Sequence, residues 1–150
     1  MGIAEVRLFL KRNPRVALDA NVFVYQLEAH PRYKLITKAV FDELDSGRIS
    51  AVTSTITMTE LLVPAYREQD DQRVDAFYGL LSTYPNIEWL ALDLEIADMA
   101  AELRASYKLQ TPDALQAATA IQGKASGFVT NDPVFGRVKQ FETLILDRVI

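Results

Sequence analysis

A chain of 150 residues with 49% hydrophobic and 24% charged content has the make-up of a folded domain with a substantial core, which excludes disorder. It contains no cysteine, so disulfides, thiolate metal sites and cysteine nucleophiles are excluded, and no apolar run approaches the roughly 20 residues of a membrane span. The net charge of -4, from 16 basic and 20 acidic residues, is not that of a protein coating nucleic acid through bulk positive charge.

The first residues have an acid, Glu5, among apolar neighbours and no small-residue cleavage site. They do not read as a signal peptide, so a cytoplasmic location is expected. Ile3, Val6, Phe9 and Leu10 give this segment a helical apolar stripe that predicts packing onto the domain. Residues 16–19 read as a short buried strand ending at Asp19. Leu35, Ile36, Ala39, Val40 and Leu44 follow helical spacing, with Gly47 as the stop. Ile49–Thr53 is a second strand. Met58, Leu61, Leu62 and Ala65 begin another helix, which Pro64 should kink or shorten. Val74, Phe77, Tyr78 and Leu81 mark a helix ending before Pro85, and Ile87–Leu92 a third strand. Ile96, Ala100, Leu103 and Tyr107 form a helical stripe, followed by an alanine-rich helix over Asp113–Gln122. Gly127–Thr130 is a fourth strand and Thr143–Leu146 a fifth.

Short apolar strands alternating with helices predict one α/β domain over residues 1–150 with a mainly parallel sheet. In such folds ligands gather beyond the carboxyl ends of the strands. Asp19 and Asp132 fall there, while Glu60 and Asp113 sit near helix starts that can approach the same edge. Each acid also has an ordinary structural role open to it. Asp19-Ala-Asn21 suits a turn, Thr57-x-x-Glu60 a capping box, Thr111-Pro-Asp113 a helix start capped by Thr111, and Asp132-Pro the cap of a terminal helix. Collected in one place, the four would raise one another's pKa unless a cation neutralised them. Carboxylates without His or Cys suit a hard cation such as Mg²⁺ rather than zinc. The four acids also equal the whole charge excess, since 20 minus 4 leaves 16 acids against 16 bases. The single histidine, His30, reads as a solvated loop residue.

Four segments together resemble the PIN-domain family: Val-Ala-Leu-Asp19-Ala-Asn21-Val-Phe, Thr-Met-Thr-Glu60-Leu-Leu, Thr111-Pro-Asp113-Ala-Leu-Gln-Ala-Ala-Thr-Ala and Phe-Val-Thr130-Asn-Asp132. Their order and spacing agree with the family, and the third motif is the most specific. The resemblance implies an α/β/α sandwich and single-stranded RNA cleavage dependent on Mg²⁺, with Mn²⁺ able to substitute. It implies that Asp19, Asp113 and Asp132 bind metal, that Glu60 is a ligand or positions water, and that Asn21 and Thr130 hold the acids in place. The compact size is similar to VapC toxins of toxin–antitoxin pairs, which implies a small antitoxin partner and a homodimer. The segment before the first strand is longer than in many members. Lys108, Arg104, Arg137 and Lys139 lie near the acidic motifs in sequence and are candidate phosphate contacts, with solvated surface charge as the alternative.

Other functions fit less well. A haloacid dehalogenase-type phosphatase wants a second acid two residues after the first, where this chain has Asn21. A signalling receiver wants an acceptor aspartate after a central strand, where Thr53-Ser54 stands. A PIN fold used only for binding RNA or protein would have no need of all four acids.

Overall fold

The computed structural model describes residues 2–150. Five short strands form one sheet: β1 (Arg15–Leu18), β2 (Ser50–Ser54), β3 (Ile87–Leu90), β4 (Gly127–Thr130) and β5 (Glu142–Ile145). Their order is β3-β2-β1-β4-β5, and every pairing is parallel. Seven α-helices make the crossovers and flanks: α1 (Gly2–Arg12), α2 (Ala20–Leu27), α3 (Lys34–Asp45), α4 (Thr55–Arg67), α5 (Asp71–Ser82), α6 (Leu94–Tyr107) and α7 (Thr111–Gln122).

Alternation along the strands divides the apolar side chains between two layers. Val16, Leu18, Ala51 and Val129 face a core with α1, α2 and α3, while Ala17, Val52 and Phe128 face one with α6 and α7. The result is the α/β/α sandwich anticipated from the alternating strands and helices, with a sheet that is parallel throughout. From β1 the sheet grows through β2 to β3 on one side and through β4 to β5 on the other. The cleft between the carboxyl ends of β1 and β4 is therefore a topological switch point, where open parallel sheets bind ligands.

The first helix docks as its stripe predicts: Val6, Phe9 and Leu10 are buried. Its approach to β4 is close. A Cβ on Gly127 would stand 2.8 Å from Phe9 Cζ and 2.9 Å from Asn13 Cβ, so the strand passes beneath α1 only because residue 127 has no side chain.

Four local expectations are corrected. Asp19-Ala-Asn21 does not form an isolated turn; it opens α2, with Asp19 as N-cap. Helix α4 begins earlier than its apolar stripe suggests, because Ser54 leaves β2 in an extended conformation and its hydroxyl caps Ile56 N–H. Thr57 thus lies inside the helix with a buried side chain, and no capping box to Glu60 forms. Pro64 does not shorten α4, which continues to Arg67. Proline leaves the carbonyl four residues back, that of Glu60, without a helical donor, and both residues lie on the exposed side where water can serve.

Candidate active site

Asp19 follows the last residue of β1 and is buried, with 8% of its surface exposed. One carboxylate oxygen caps α2 by accepting from Ala20 N–H at 2.8 Å. The other accepts from the Thr130 hydroxyl at 2.7 Å and from Asn21 Nδ2 at 3.3 Å. Thr130, the fully buried last residue of β4, also accepts from the backbone N–H of Asp132 at 3.0 Å. One hydroxyl therefore joins the two acids that follow the neighbouring strands β1 and β4. Asp132 caps the 3-10 helix Pro133–Arg137 through Val134 N–H. The structural roles open to Asp19 and Asp132 as caps are thus filled by the same carboxylates that face the switch point.

The other two acids arrive on helices. Glu60 sits on the exposed side of α4, and Asp113 in the first turn of α7. Gln110 stands at the N-cap position of α7 without a side-chain cap bond, and Thr111 is already helical, its hydroxyl accepting from Arg104 at 2.8 Å. Electrostatic repulsion links the acids pair by pair. Burial is the main cause raising the Asp19 carboxyl above its ordinary value, against its hydrogen bonds, with Asp113 and Asp132 adding repulsion. Desolvation, then Asp19 and Asp113, raise Glu60 although the residue as a whole is open to solvent. Desolvation and the charge of Asp132 raise Asp113. Among the described residues no lysine or arginine comes within salt-bridge distance of any of the four.

A cluster of anions without a counter-charge at the switch point suits a divalent cation. Its donors are oxygens alone, the set preferred by Mg²⁺ and Mn²⁺ over zinc. Among the described residues no three acidic or imidazole side chains by themselves enclose an ion.

A chain of buried hydroxyls and an amide beneath the acids was not foreseen from the sequence. Gln116 Nε2 donates to the Thr57 hydroxyl at 2.9 Å, Thr57 shares a 2.8 Å bond with the Thr53 hydroxyl, and Thr53 donates to the Leu18 carbonyl at 2.9 Å. Gln116 lies one turn after Asp113, and Thr57 one turn before Glu60. The chain therefore ties α4 and α7 to the end of β1 and sets the spacing of three acids. Its only signal in the sequence is a glutamine inside an alanine-rich, core-facing stripe.

A second polar network flanks Asn21. Its side-chain oxygen accepts from Asn131 N–H at 3.2 Å, and Asn131 Nδ2 donates to the Tyr25 hydroxyl at 3.2 Å. Tyr25 stacks on Tyr33 at 4.2 Å, and His30 packs against both rings while its Nδ1 accepts from Arg32 N–H. His30 is thus a packed loop residue, not a freely solvated one.

The fold and these carboxylates define a class: a parallel α/β protein with an acidic site at the switch point of its sheet. The PIN domain family model matches residues 16–140, and the chain belongs to that family. No curated protein sequence matches it. Among solved structures, a toxin–antitoxin complex from Klebsiella pneumoniae is 20% identical with a TM-score of 0.64, over 87% of this chain and 97% of that one. FitAcB from Neisseria gonorrhoeae is 21% identical with a TM-score of 0.64, over 87% and 97%. DNA-bound VapBC from Salmonella typhimurium is 19% identical with a TM-score of 0.68, over 88% and 98%. At these identities the likeness is one of fold.

Proposed function

We propose that residues 1–150 act as one divalent-cation-dependent endoribonuclease that cleaves single-stranded RNA and serves as the toxin of a toxin–antitoxin pair. The observation that carries the reading is the repulsion among Asp19, Asp113 and Asp132, and of Asp19 and Asp113 on Glu60, with no lysine or arginine within salt-bridge distance of the four among the described residues. PIN nucleases as a class use divalent metals. A bound Mg²⁺, or Mn²⁺ in its place, supplies Lewis-acid activation of water and charge stabilisation at the phosphodiester.

The chain's residues divide the work by position. Asp19, Asp113 and Asp132 would hold the cation, and Glu60, the most open of the four, would align the attacking water and accept its proton. Raised carboxyl affinity for a proton suits that last role. Thr130 and Asn21 orient Asp19, so its two oxygens keep fixed directions before the ion arrives.

The partner is a small antitoxin, a reading supported by the toxin–antitoxin complexes that share the fold. An apolar groove of about 560 Å³ between α4, α5 and β3, lined by Met58, Leu62, Val63, Tyr66, Tyr78 and Trp89, gives such a partner a seat on the helix that bears Glu60. The toxin itself forms a homodimer and works in the cytoplasm. No helix among the described residues is long and apolar enough to cross a membrane.

The test compares wild type with Asp113→Asn by thermal unfolding in EDTA and in Mn²⁺, and by cleavage of single-stranded RNA. Because metal binds the native state alone, wild type should gain about 2.7 kcal/mol when Mn²⁺ stands a hundredfold above its Kd. Asp113→Asn should gain less and lose cleavage. Retention of wild-type, metal-dependent cleavage by Asp113→Asn would sink the assignment.

A further inference from the structure

Four basic residues scattered in the sequence converge on one turn of the fold. Arg104 donates to the Leu109 carbonyl at 3.0 Å and to Thr111 Oγ1 at 2.8 Å, bracing the connection between α6 and α7. Arg137 donates to the carbonyls of Tyr107 and Lys108, each at 3.4 Å. The backbone N–H of Lys139 donates to the Tyr107 hydroxyl at 3.4 Å, and that hydroxyl donates to Gln140. Lys108 itself closes α6 in the left-handed conformation, at φ 56. Two chain segments, one carrying Lys108 and the other Arg137 and Lys139, are thus sewn together at the carboxyl end of α6.

Each segment leads to a site acid. Asp113 lies five residues after Lys108, and Asp132 five residues before Arg137. Asp113 lies in the first turn of α7, which the basic turn leads into, and Asp132 caps the 3-10 helix that ends at Arg137, so both segments run from the turn to the acids. The carboxyl end of a helix favours cations, and the carbonyls it presents account for the placement of the two arginines. Lys108, as the C-cap of α6, is favoured there in the same way, whereas Lys139 lies on the neighbouring segment and owes its place to neither carbonyl. All four basic residues are exposed and, among the described residues, none has a carboxylate within salt-bridge distance, so their charge is open to a ligand.

We propose that Lys108 and Lys139, on a platform braced by Arg104 and Arg137, form a track for the phosphates of single-stranded RNA flanking the one that is cut. This rests on the nuclease reading and adds the direction in which the substrate leaves the acids: across the α6–α7 turn. Lysines serve as point charges there, so the track holds RNA of any sequence.

The test measures binding of a fluorescent single-stranded oligouridylate across a salt series. Ca²⁺ is present to neutralise the acids, and a gel afterwards verifies that the oligomer is intact. Lys108→Gln/Lys139→Gln is compared with wild type and with Lys11→Gln/Lys124→Gln. The control removes the same net charge from two exposed lysines at the opposite edge of the sheet, and Lys124 shares the left-handed backbone of Lys108. Each lost phosphate contact makes the log–log salt slope shallower by about 0.7. The track variant should show that loss at both positions with weaker binding, and the control neither. Equal slopes for the track variant and the control overturn this inference alone when wild type binds and cleaves RNA. A wild type that holds no RNA overturns it together with the nuclease reading.

Discussion

The Thr130 hydroxyl does two things at once, donating to Asp19 and accepting from Asp132 N–H. At this scale the site is a set of carboxylates kept apart by polar groups too weak to neutralise them. Glu60 is the simplest probe of that repulsion, because it lies within α4 and its side chain has no hydrogen-bond partner among the described residues. Its native carboxyl holds a proton to higher pH than the ordinary 4.5. Between those two values the native state binds more protons than the unfolded chain, so stability falls as pH rises through that window. Glu60→Gln removes the effect. In EDTA it should match wild type in Tm at a pH well below 4.5 and exceed it at neutral pH. A pH-independent difference in Tm would show that Glu60 feels no such repulsion.

At the scale of elements, the acids are spaced by how α4 and α7 dock on the sheet. The Gln116–Thr57–Thr53 chain is buried, and among the described residues no buried side-chain polar atom lacks a partner. Gln116→Met keeps the volume but leaves the Thr57 hydroxyl without its donor, a loss of about 1–3 kcal/mol. Denaturant unfolding checks that figure. Mn²⁺ affinity should also fall, measured by calorimetry well below the Tm, because α4 and α7 lose their common tether. Unchanged affinity with reduced stability would leave Gln116 a packing residue only. The sequence showed the strands and every helix but α2, since short apolar runs and period-3.6 stripes are local. It did not show where α4 and α7 begin. Ser54 caps α4 because β2 delivers it in an extended conformation, and α7 begins after an extended Gln110 that the α6–α7 turn sets in place.

Across the whole molecule, α1 binds the start of the chain to its far half. Phe9 is buried against β4 at Gly127, so helix and strand are held at contact distance although they lie far apart in sequence. Phe9→Ala should cost about 3–5 kcal/mol as a large side chain leaves a core cavity. Gly127→Ala should also destabilise, because Phe9 and Asn13 must move to admit the methyl group. Paired in a double-mutant cycle by urea unfolding, the two should be non-additive, since trimming Phe9 opens the space that the new Cβ needs. Strict additivity would mean that the contact between α1 and β4 is loose.

The chain by itself determined the α/β class, the stripe that docks α1, and the four acids, because each is written in local spacing or in the choice of residue. Pairwise burial of strands on two faces needs only alternation, and a carboxylate placed after a strand stands at the sheet's edge whatever the details. Tertiary structure alone decided which acids repel which, that Thr130 joins two of them, and that Gln116 is tied to Thr57. It also gathered Arg104, Lys108, Arg137 and Lys139 at one turn. These relations hold between residues far apart in the chain. They exist only once the parallel order β3-β2-β1-β4-β5 sets β1 beside β4 and brings the ends of their loops and helices to one side.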